Sequence, residues 1–247
     1  MDQGTAAAVS FDGVGVTFPG GTAALTGVDL LVRPGEFVSI VGPSGCGKST
    51  LLRVAAGLQE PTAGTCTVDH DRIGFVFQDA NLLPWRTVQR NAELPAELHG
   101  MPRAERARAA QEALALVGLA DFAGHTPAQL SGGMRMRASL ARALVLSPDV
   151  FLFDEPFGAL DEMTREHLND EIRDLYVRRR FTGLFVTHSV SEAVYMSTRV
   201  VVLSPRPGRV VADIPVALPV HRTHELRYTA EFGRACAEVS TVLRGAR

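Results

Sequence analysis

The stretch FVSIVGPSGCGKST, Phe37 to Thr50, leaves a chain few ways to fold. Five mostly apolar residues run into the pattern G-x-x-x-x-G-K-[ST], with Gly42, Gly47, Lys48 and Ser49 at its fixed places. Such a loop turns backbone N–H groups inward around phosphates, and it needs a buried strand before it and a helix after it. The sequence therefore predicts a strand over Phe37–Val41, a phosphate cradle, and a helix from about Lys48 to Ala56. Lys48 would reach the β- and γ-phosphates of a nucleotide, and Ser49 would offer its hydroxyl to Mg2+. A glycine turn that merely precedes a helix is the bland alternative, and the strand and helix around the loop weigh against it.

The rest of the chain can be arranged around that loop. With 247 residues, 46% of them hydrophobic, one large core can be buried. Before the loop, VGVTF and ALTGVDLLVRPGEFVSIVG alternate short apolar runs with glycine turns, which predicts an antiparallel β portion. PTAGTCTVDHDRIGFVFQ reads as a short β excursion. From Thr87 to Leu146 the composition turns to alanine, leucine, glutamate and arginine, a helical block with RAERARAAQEALALVGL as its clearest amphipathic piece. Strand and helix then alternate: VFLFDE, a helix from Met163 to Arg179, LFVTH, a short helix from Ser191, and RVVVL. That alternation predicts a mainly parallel sheet, an α/β core into which the helical block, about residues 87–147, is inserted. Beyond Ser204, SPRPGRVVADIPV reads as a hairpin-like extension and HELRYTAEFGRACAEVSTVLR as a closing helix.

A nucleotide held with Mg2+ needs a second carboxylate at the end of a neighbouring strand. VFLFDE supplies one, because Asp154 follows four apolar residues and stands where open α/β sheets bind ligands. Glu155, next along, can face another direction and suits a general base for an attacking water. A strand that merely ends in solvated acids is the competing account, and the phosphate loop weakens it. Gln78 in VFQD and His188 after LFVT are ambiguous alone, since either residue commonly ends a strand in solvent. LSGGMRMR, Leu130 to Arg137, poses a different question. Ser131 is a good N-cap, and Gly132 and Gly133 leave N–H groups uncovered, so a second anion site opens this helix although the chain already has a phosphate loop.

Taken in order, GPSGCGKST, VFQ, LSGGM, VFLFDEP, GALD and VTH resemble the ATPase subunit of ABC transporters, over essentially the whole chain. The resemblance implies a P-loop NTPase core with an N-terminal antiparallel β subdomain and an inserted helical subdomain, in one domain spanning 1–247 with an extension over about 204–247. It implies ATP held by Gly42, Pro43, Ser44, Gly45, Cys46, Gly47, Lys48, Ser49 and Thr50, with Mg2+ on Ser49, Gln78 and Asp154. Glu155 matches the catalytic glutamate of the family, and His188 resembles its γ-phosphate sensor. Gln78 resembles the residue that links the metal and the attacking water to a transmembrane partner. Phe18 in VTFPGG resembles the aromatic that stacks on adenine; a phenylalanine in a strand core is the other reading. Ser131, Gly132 and Gly133 would close on the ATP held by a second copy, and Asp161 in GALD would link the two sites. A head-to-tail homodimer with two ATP molecules is thus expected.

DANLLPWRTVQRNAELPAELHG, EPFGALD and RPGRV, Arg206 to Val210, further resemble importers of nitrate, sulfonates, taurine and pyrimidine precursors. That implies a membrane permease, a solute-binding protein outside the membrane, and a peripheral place on the cytoplasmic face. Trp85 in NLLPW would suit a groove receiving a short permease helix, or it is buried against the helical subdomain. Two departures stand out: Met136 occupies a position where the family more often has glutamine, and the segment from Gly64 to Gln78 is shorter than usual. A formal net charge of −2 argues against nucleic acid as a partner. Three scattered cysteines fit neither a disulfide framework nor a zinc site. The opening MDQGTAAAVSFDG lacks a charged segment before a long apolar one, and no apolar run approaches the ~20 residues of a membrane span. The main rival is an ABC ATPase outside transport, acting as a nucleotide-gated clamp, although this chain has neither the long coiled-coil insertion nor the second cassette of such clamps. A P-loop kinase would leave LSGGM and GALD unexplained.

Overall fold

The computed structural model describes residues 7–69, 72–158 and 160–246. The first residues of the N-terminal segment, His70 and Asp71 in the β excursion, and Ala159 in GALD lie outside the described residues. The fold is α/β, with two sheets. Strands β1 (Val9–Thr17), β2 (Ala23–Val32) and β4 (Ala63–Val68) form an antiparallel sheet in the order β2-β1-β4. The larger sheet runs β5-β6-β7-β3-β8-β9, from β3 (Phe37–Val41), β5 (Ile73–Val76), β6 (Val150–Asp154), β7 (Thr182–Val186), β8 (Arg199–Leu203) and β9 (Val210–Pro215). All its pairs are parallel except β8 with β9.

The near-continuous apolar runs of this sheet follow from burial on both faces, with the two-residue period deciding which core each side chain joins. Phe37 and Val41 of β3, Phe151 and Phe153 of β6, Phe185 of β7, and Val200 and Val202 of β8 enter one core. That core is shared with α5 (Glu162–Arg179), α6 (Val190–Met196) and the helices of the middle block. Val38, Ile40, Leu152, Leu184, Val186, Val201 and Leu203 enter the other, where α1 (Lys48–Ala55) is enclosed between the main sheet and the antiparallel one. Phe37 centres an aromatic group with Phe153, Tyr176, Phe181 and Phe185, all with ring centroids 5.3–6.1 Å from its own.

Four expectations change. PTAGTCTVDHDRIGFVFQ is not one excursion, because β4 belongs to the antiparallel sheet and β5 is the edge of the parallel one. The strand of Asp154 is not beside that of the phosphate loop; β7 lies between β6 and β3. The middle block forms α2 (Val88–Leu98), α3 (Arg103–Leu116) and α4 (Gly132–Leu144), which pack on one another, but α3 buries only Ala110, Ala113 and Leu114. Its apolar stripe is narrow because alanine, not a larger residue, fills most of the repeating positions. The closing helix is broken: a 3-10 turn over His224–Tyr228 precedes α7 (Ala230–Gly245), which Thr229 caps by accepting from Phe232 N. SPRPGRVVADIPV does form a hairpin, in which β9 extends the main sheet.

Candidate active site

Because β3, β5, β6 and β7 are parallel, their carboxyl ends meet at one edge of the sheet. The phosphate loop leaves β3, Gln78 follows β5 by two residues, Asp154 ends β6 with Glu155 next after it, and His188 follows β7 by two. Residues separated by as many as 146 positions in the chain are gathered by strand direction alone. A cavity of about 310 Å³ opens there, lined by Phe18, Ser44, Gly45, Gly47, Lys48, Ser49, Thr50, Gln78 and Glu155, together with Ala24 and Arg206.

The loop is fixed in a phosphate-ready shape. Gly47 has φ +104°, a conformation that L side chains rarely adopt, and a Cβ there would lie 2.6 Å from Leu25 Cδ2 and 2.8 Å from Ala24 O. Gly42 leaves room for Cys46, whose buried thiol has its pKa pushed up by desolvation. Pro43 contributes its carbonyl: Lys48 Nζ donates to Gly42 O at 3.0 Å and to Pro43 O at 3.1 Å. The Lys48 side chain, only 5% exposed, is thus held inside the loop, its ammonium on weak neutral acceptors that an anion would displace. α1 points its N-terminus into the same space.

The carboxylates differ in environment. Asp154 is buried, its carboxyl pKa is raised by desolvation, and its Oδ1 accepts from Ser49 Oγ at 2.7 Å. A hydroxyl beside a carboxylate is an oxygen donor set for a small hard cation such as Mg2+, with the exposed Gln78 amide facing the same cavity. Among the described residues no cluster of three or more His, Cys, Asp and Glu could hold a metal. Mg2+ takes one or two protein ligands and completes its shell with phosphate and water. Glu155 leaves the strand by a left-handed turn at φ 44°, unusual for a residue with a Cβ, while its N–H still donates to Val186 O at 3.0 Å. The turn separates the two carboxylates: Glu155 Oε1 lies 3.8 Å from Lys48 Nζ and Oε2 lies 3.1 Å from His188 Nδ1. An acceptor flanked by an ammonium and an imidazole, and lining the cavity, can take a proton from water there. Mg2+, when bound with a nucleotide, supplies charge neutralisation on the phosphates.

Phe18 is 37% exposed and faces the cavity, so it is not a strand-core residue. Trp85 is 75% exposed, which removes the alternative of burial against the helices. Its loop is tied down by the buried Asn91, which accepts from Leu83 N at 2.7 Å and donates to Leu83 O, Arg86 O and Thr87 O.

Ser131, Gly132, Gly133 and Asp161 do not line the cavity. Ser131 caps α4, accepting from Met134 N at 3.2 Å. Gly132 is exposed, and a Cβ at Gly133 would meet Thr164 Cγ2 at 2.8 Å, so a glycine lets α4 approach the first turn of α5. Asp161 caps that helix by accepting from Thr164 N at 3.0 Å, which holds its carboxyl below the usual range. Met136 is buried in the core, so no polar contact is missing from the surface at that position. Arg206 and Ala24 line the cavity without having been singled out as site residues, because neither belongs to a nucleotide motif. The approach of RPGRV to the loop is a tertiary contact with no local signal.

Known proteins resemble this chain over most of its length. Residues 25–158 match the ABC transporter family. The nitrate import ATP-binding protein NrtD of Synechocystis sp. is 42% identical over 239 residues, 92% of this chain and 90% of its own. The aliphatic sulfonates import ATP-binding protein SsuB of Ralstonia nicotianae is 50% identical over 202 residues, 79% of this chain and 68% of its own. A solved dimeric post-hydrolysis state of the ATP-binding cassette MJ0796, bound to ADP and Pi, superposes with a TM-score of 0.76 at 35% identity, covering 85% of this chain and 100% of that one. With a phosphate loop, a paired carboxylate and a histidine at one sheet edge, and relatives matched over most of its length, the chain belongs to the ABC transporter family, as an ATP-binding subunit that hydrolyses ATP.

Proposed function

We propose that this chain is the motor subunit of an importer for a small anion of the nitrate, sulfonate or taurine type, working as a head-to-tail homodimer on a separate membrane permease. One observation carries the dimer: Ser131, Gly132 and Gly133 form a capped, exposed helix start outside the cavity that holds Lys48. A helix start suited to an anion, yet outside its own chain's phosphate cavity, is explained by a second copy. In the proposed assembly the backbone of Gly42–Thr50 and Lys48 hold the phosphates of one ATP, Phe18 stacks on adenine, and Ser49, Asp154 and Gln78 hold Mg2+. Glu155 accepts the proton of the attacking water as the bond from the γ-phosphate to ADP breaks, and His188 contacts the γ-phosphate. Asp161 and the start of α4 come from the partner copy.

The helical subdomain, about residues 87–147 of the single 1–247 domain, would meet the permease near the exposed Trp85, seven residues beyond Gln78. No helix among the described residues is long and apolar enough to cross a membrane. In the proposed assembly the chain sits peripherally on the cytoplasmic face, against the permease. Relatives named for nitrate and aliphatic sulfonate import support the solute class, and a solute-binding protein outside the membrane would deliver it. The test is ATPase activity of the chain reconstituted with its permease and solute-binding protein. Nitrate or an alkanesulfonate should stimulate turnover; stimulation by neither, or failure to co-purify with any permease, would favour the nucleotide-gated clamp.

A further inference from the structure

The loop between β8 and β9, residues 204–209, is stitched to β2 beside the phosphate loop. Gly208 N donates to Ala24 O at 2.8 Å and Thr26 N donates to Gly208 O at 3.0 Å. Within the loop, Ser204 Oγ donates toward Pro205 O and Pro207 O and accepts from Arg209 N, which fixes the backbone on either side of Arg206. Gly208 comes so near the phosphate loop that a Cβ would lie 2.1 Å from Cys46 O. Arg206 is therefore carried on a braced segment.

Its side chain is aimed. Arg206 Nε donates to Gly45 O at 3.0 Å, and Nη2 lies 3.2 Å from the place a Cβ of Gly45 would take, so the guanidinium lies along the tip of the phosphate loop. It lines the same cavity as Lys48, Ser49 and Phe18. Among the described residues no carboxylate pairs with it, and Nη1 and Nη2 make no hydrogen bond. A planar cation already oriented by one hydrogen bond, lining a cavity for a polyanion with its Nη groups uncommitted, has the geometry that guanidinium groups use on phosphate.

We propose that Arg206 is a nucleotide-binding residue, holding the phosphate chain of the bound adenine nucleotide from the Gly45 end of the phosphate loop. The proposal rests on the cavity being the ATP site. The Nε bond to Gly45 pre-orders the side chain, so little rotamer freedom is lost when the nucleotide arrives. Lys48 supplies a buried point charge and Arg206 an outer, salt-sensitive one.

The experiment measures ADP and ATP binding by calorimetry on the full-length chain, for the parent, Arg206→Ala, Arg206→Gln, Arg206→Lys and Lys48→Ala. ADP avoids any contribution from dimer closure. Arg206→Ala and Arg206→Gln should weaken ADP binding about tenfold at low salt, the effect of losing one charge-assisted contact, and the deficit should shrink as salt is raised. Arg206→Lys should recover part of it. If Arg206→Ala destabilises the loop, Arg206→Gln keeps a donor and the fold, and carries the test. ADP affinities within twofold of the parent for both variants, alongside lost binding in Lys48→Ala, would overturn the role of Arg206. Unchanged binding in Lys48→Ala would instead overturn the cavity as the nucleotide site, and the proposal with it.

Discussion

Gly208→Ala is a one-carbon change outside every nucleotide motif, and the structure predicts that it is costly. The added Cβ would lie 2.1 Å from Cys46 O and 3.3 Å from Leu25 Cδ2. Normal contact starts near 3.4 Å, so the 204–209 loop must withdraw from the phosphate loop by more than an ångström. Neither neighbour yields easily, because Cys46 O is backbone and Leu25 is buried. Withdrawal breaks the hydrogen bonds of Gly208 with Ala24 and Thr26, at about 1 kcal/mol each. Overpacking adds about 1–3 kcal/mol, so the total is about 3–5 kcal/mol. In a domain of this size that lowers Tm by about 6–20 °C. Thermal unfolding by circular dichroism reads the effect directly, with Gly124→Ala as control, since Gly124 has nothing within 4 Å of an added Cβ. If Gly208→Ala melts with Gly124→Ala and the parent, the docking of this loop on the phosphate loop is refuted.

Lys48→Ala should reduce ATP affinity by at least ~100-fold, because a buried charge-assisted contact to phosphate is lost, and equilibrium binding checks it. Ser131→Ala should cost about 1 kcal/mol of stability through the lost cap, seen as a Tm lower by about 2–4 °C. Gly132→Glu, by contrast, should leave Tm within ~2 °C, since a Cβ there meets nothing nearer than 3.7 Å, yet abolish ATP-dependent dimerisation by placing a negative charge at the anion site; a dimer by light scattering would count against it. Glu192, buried against Thr187 and Asn169 with Arg165 and His188 nearby, has its carboxyl pKa raised by desolvation. Its folded form holds a proton more tightly than the unfolded chain, so its contribution is favourable below the ordinary carboxyl value of 4.5 and is lost as pH rises through the folded value. Glu192→Gln should therefore melt above the parent at pH 8, with the gap closing toward pH 5; a constant gap would contradict the assignment.

The legible parts of the molecule are those whose physics is local or periodic. The strand Phe37–Val41 is predicted to the residue because burial on both faces leaves a continuous apolar run between two turns. The cap at Ser131 and the anion-friendly glycines after it need no tertiary information. The burial of Met136 was also within reach, since Met136, Leu140 and Leu144 recur every four residues and all three are buried. Lateral strand order was not, because nothing in VFLFDE tells which strand lies beside it, and β7 separates it from the phosphate loop. The division of the segment before Gln78 between two sheets is equally silent, as a β pattern does not name its partner. Arg206 stayed hidden for the same reason: its contact with Gly45 spans 161 residues of sequence. Chemistry written as a motif was readable, whereas chemistry assembled by packing required the fold.

In the proposed assembly one chain holds an ATP site lacking its lid and a lid lacking its site, so that two copies complete two sites. Glu155→Gln tests it most directly, because removing the proton acceptor should block hydrolysis and leave binding intact. Sedimentation of this variant with Mg2+ and ATP, with nucleotide content measured in each species, should show a dimer carrying two ATP molecules and no steady-state release of phosphate. A monomer at saturating ATP, or phosphate release at the parent rate, would contradict it.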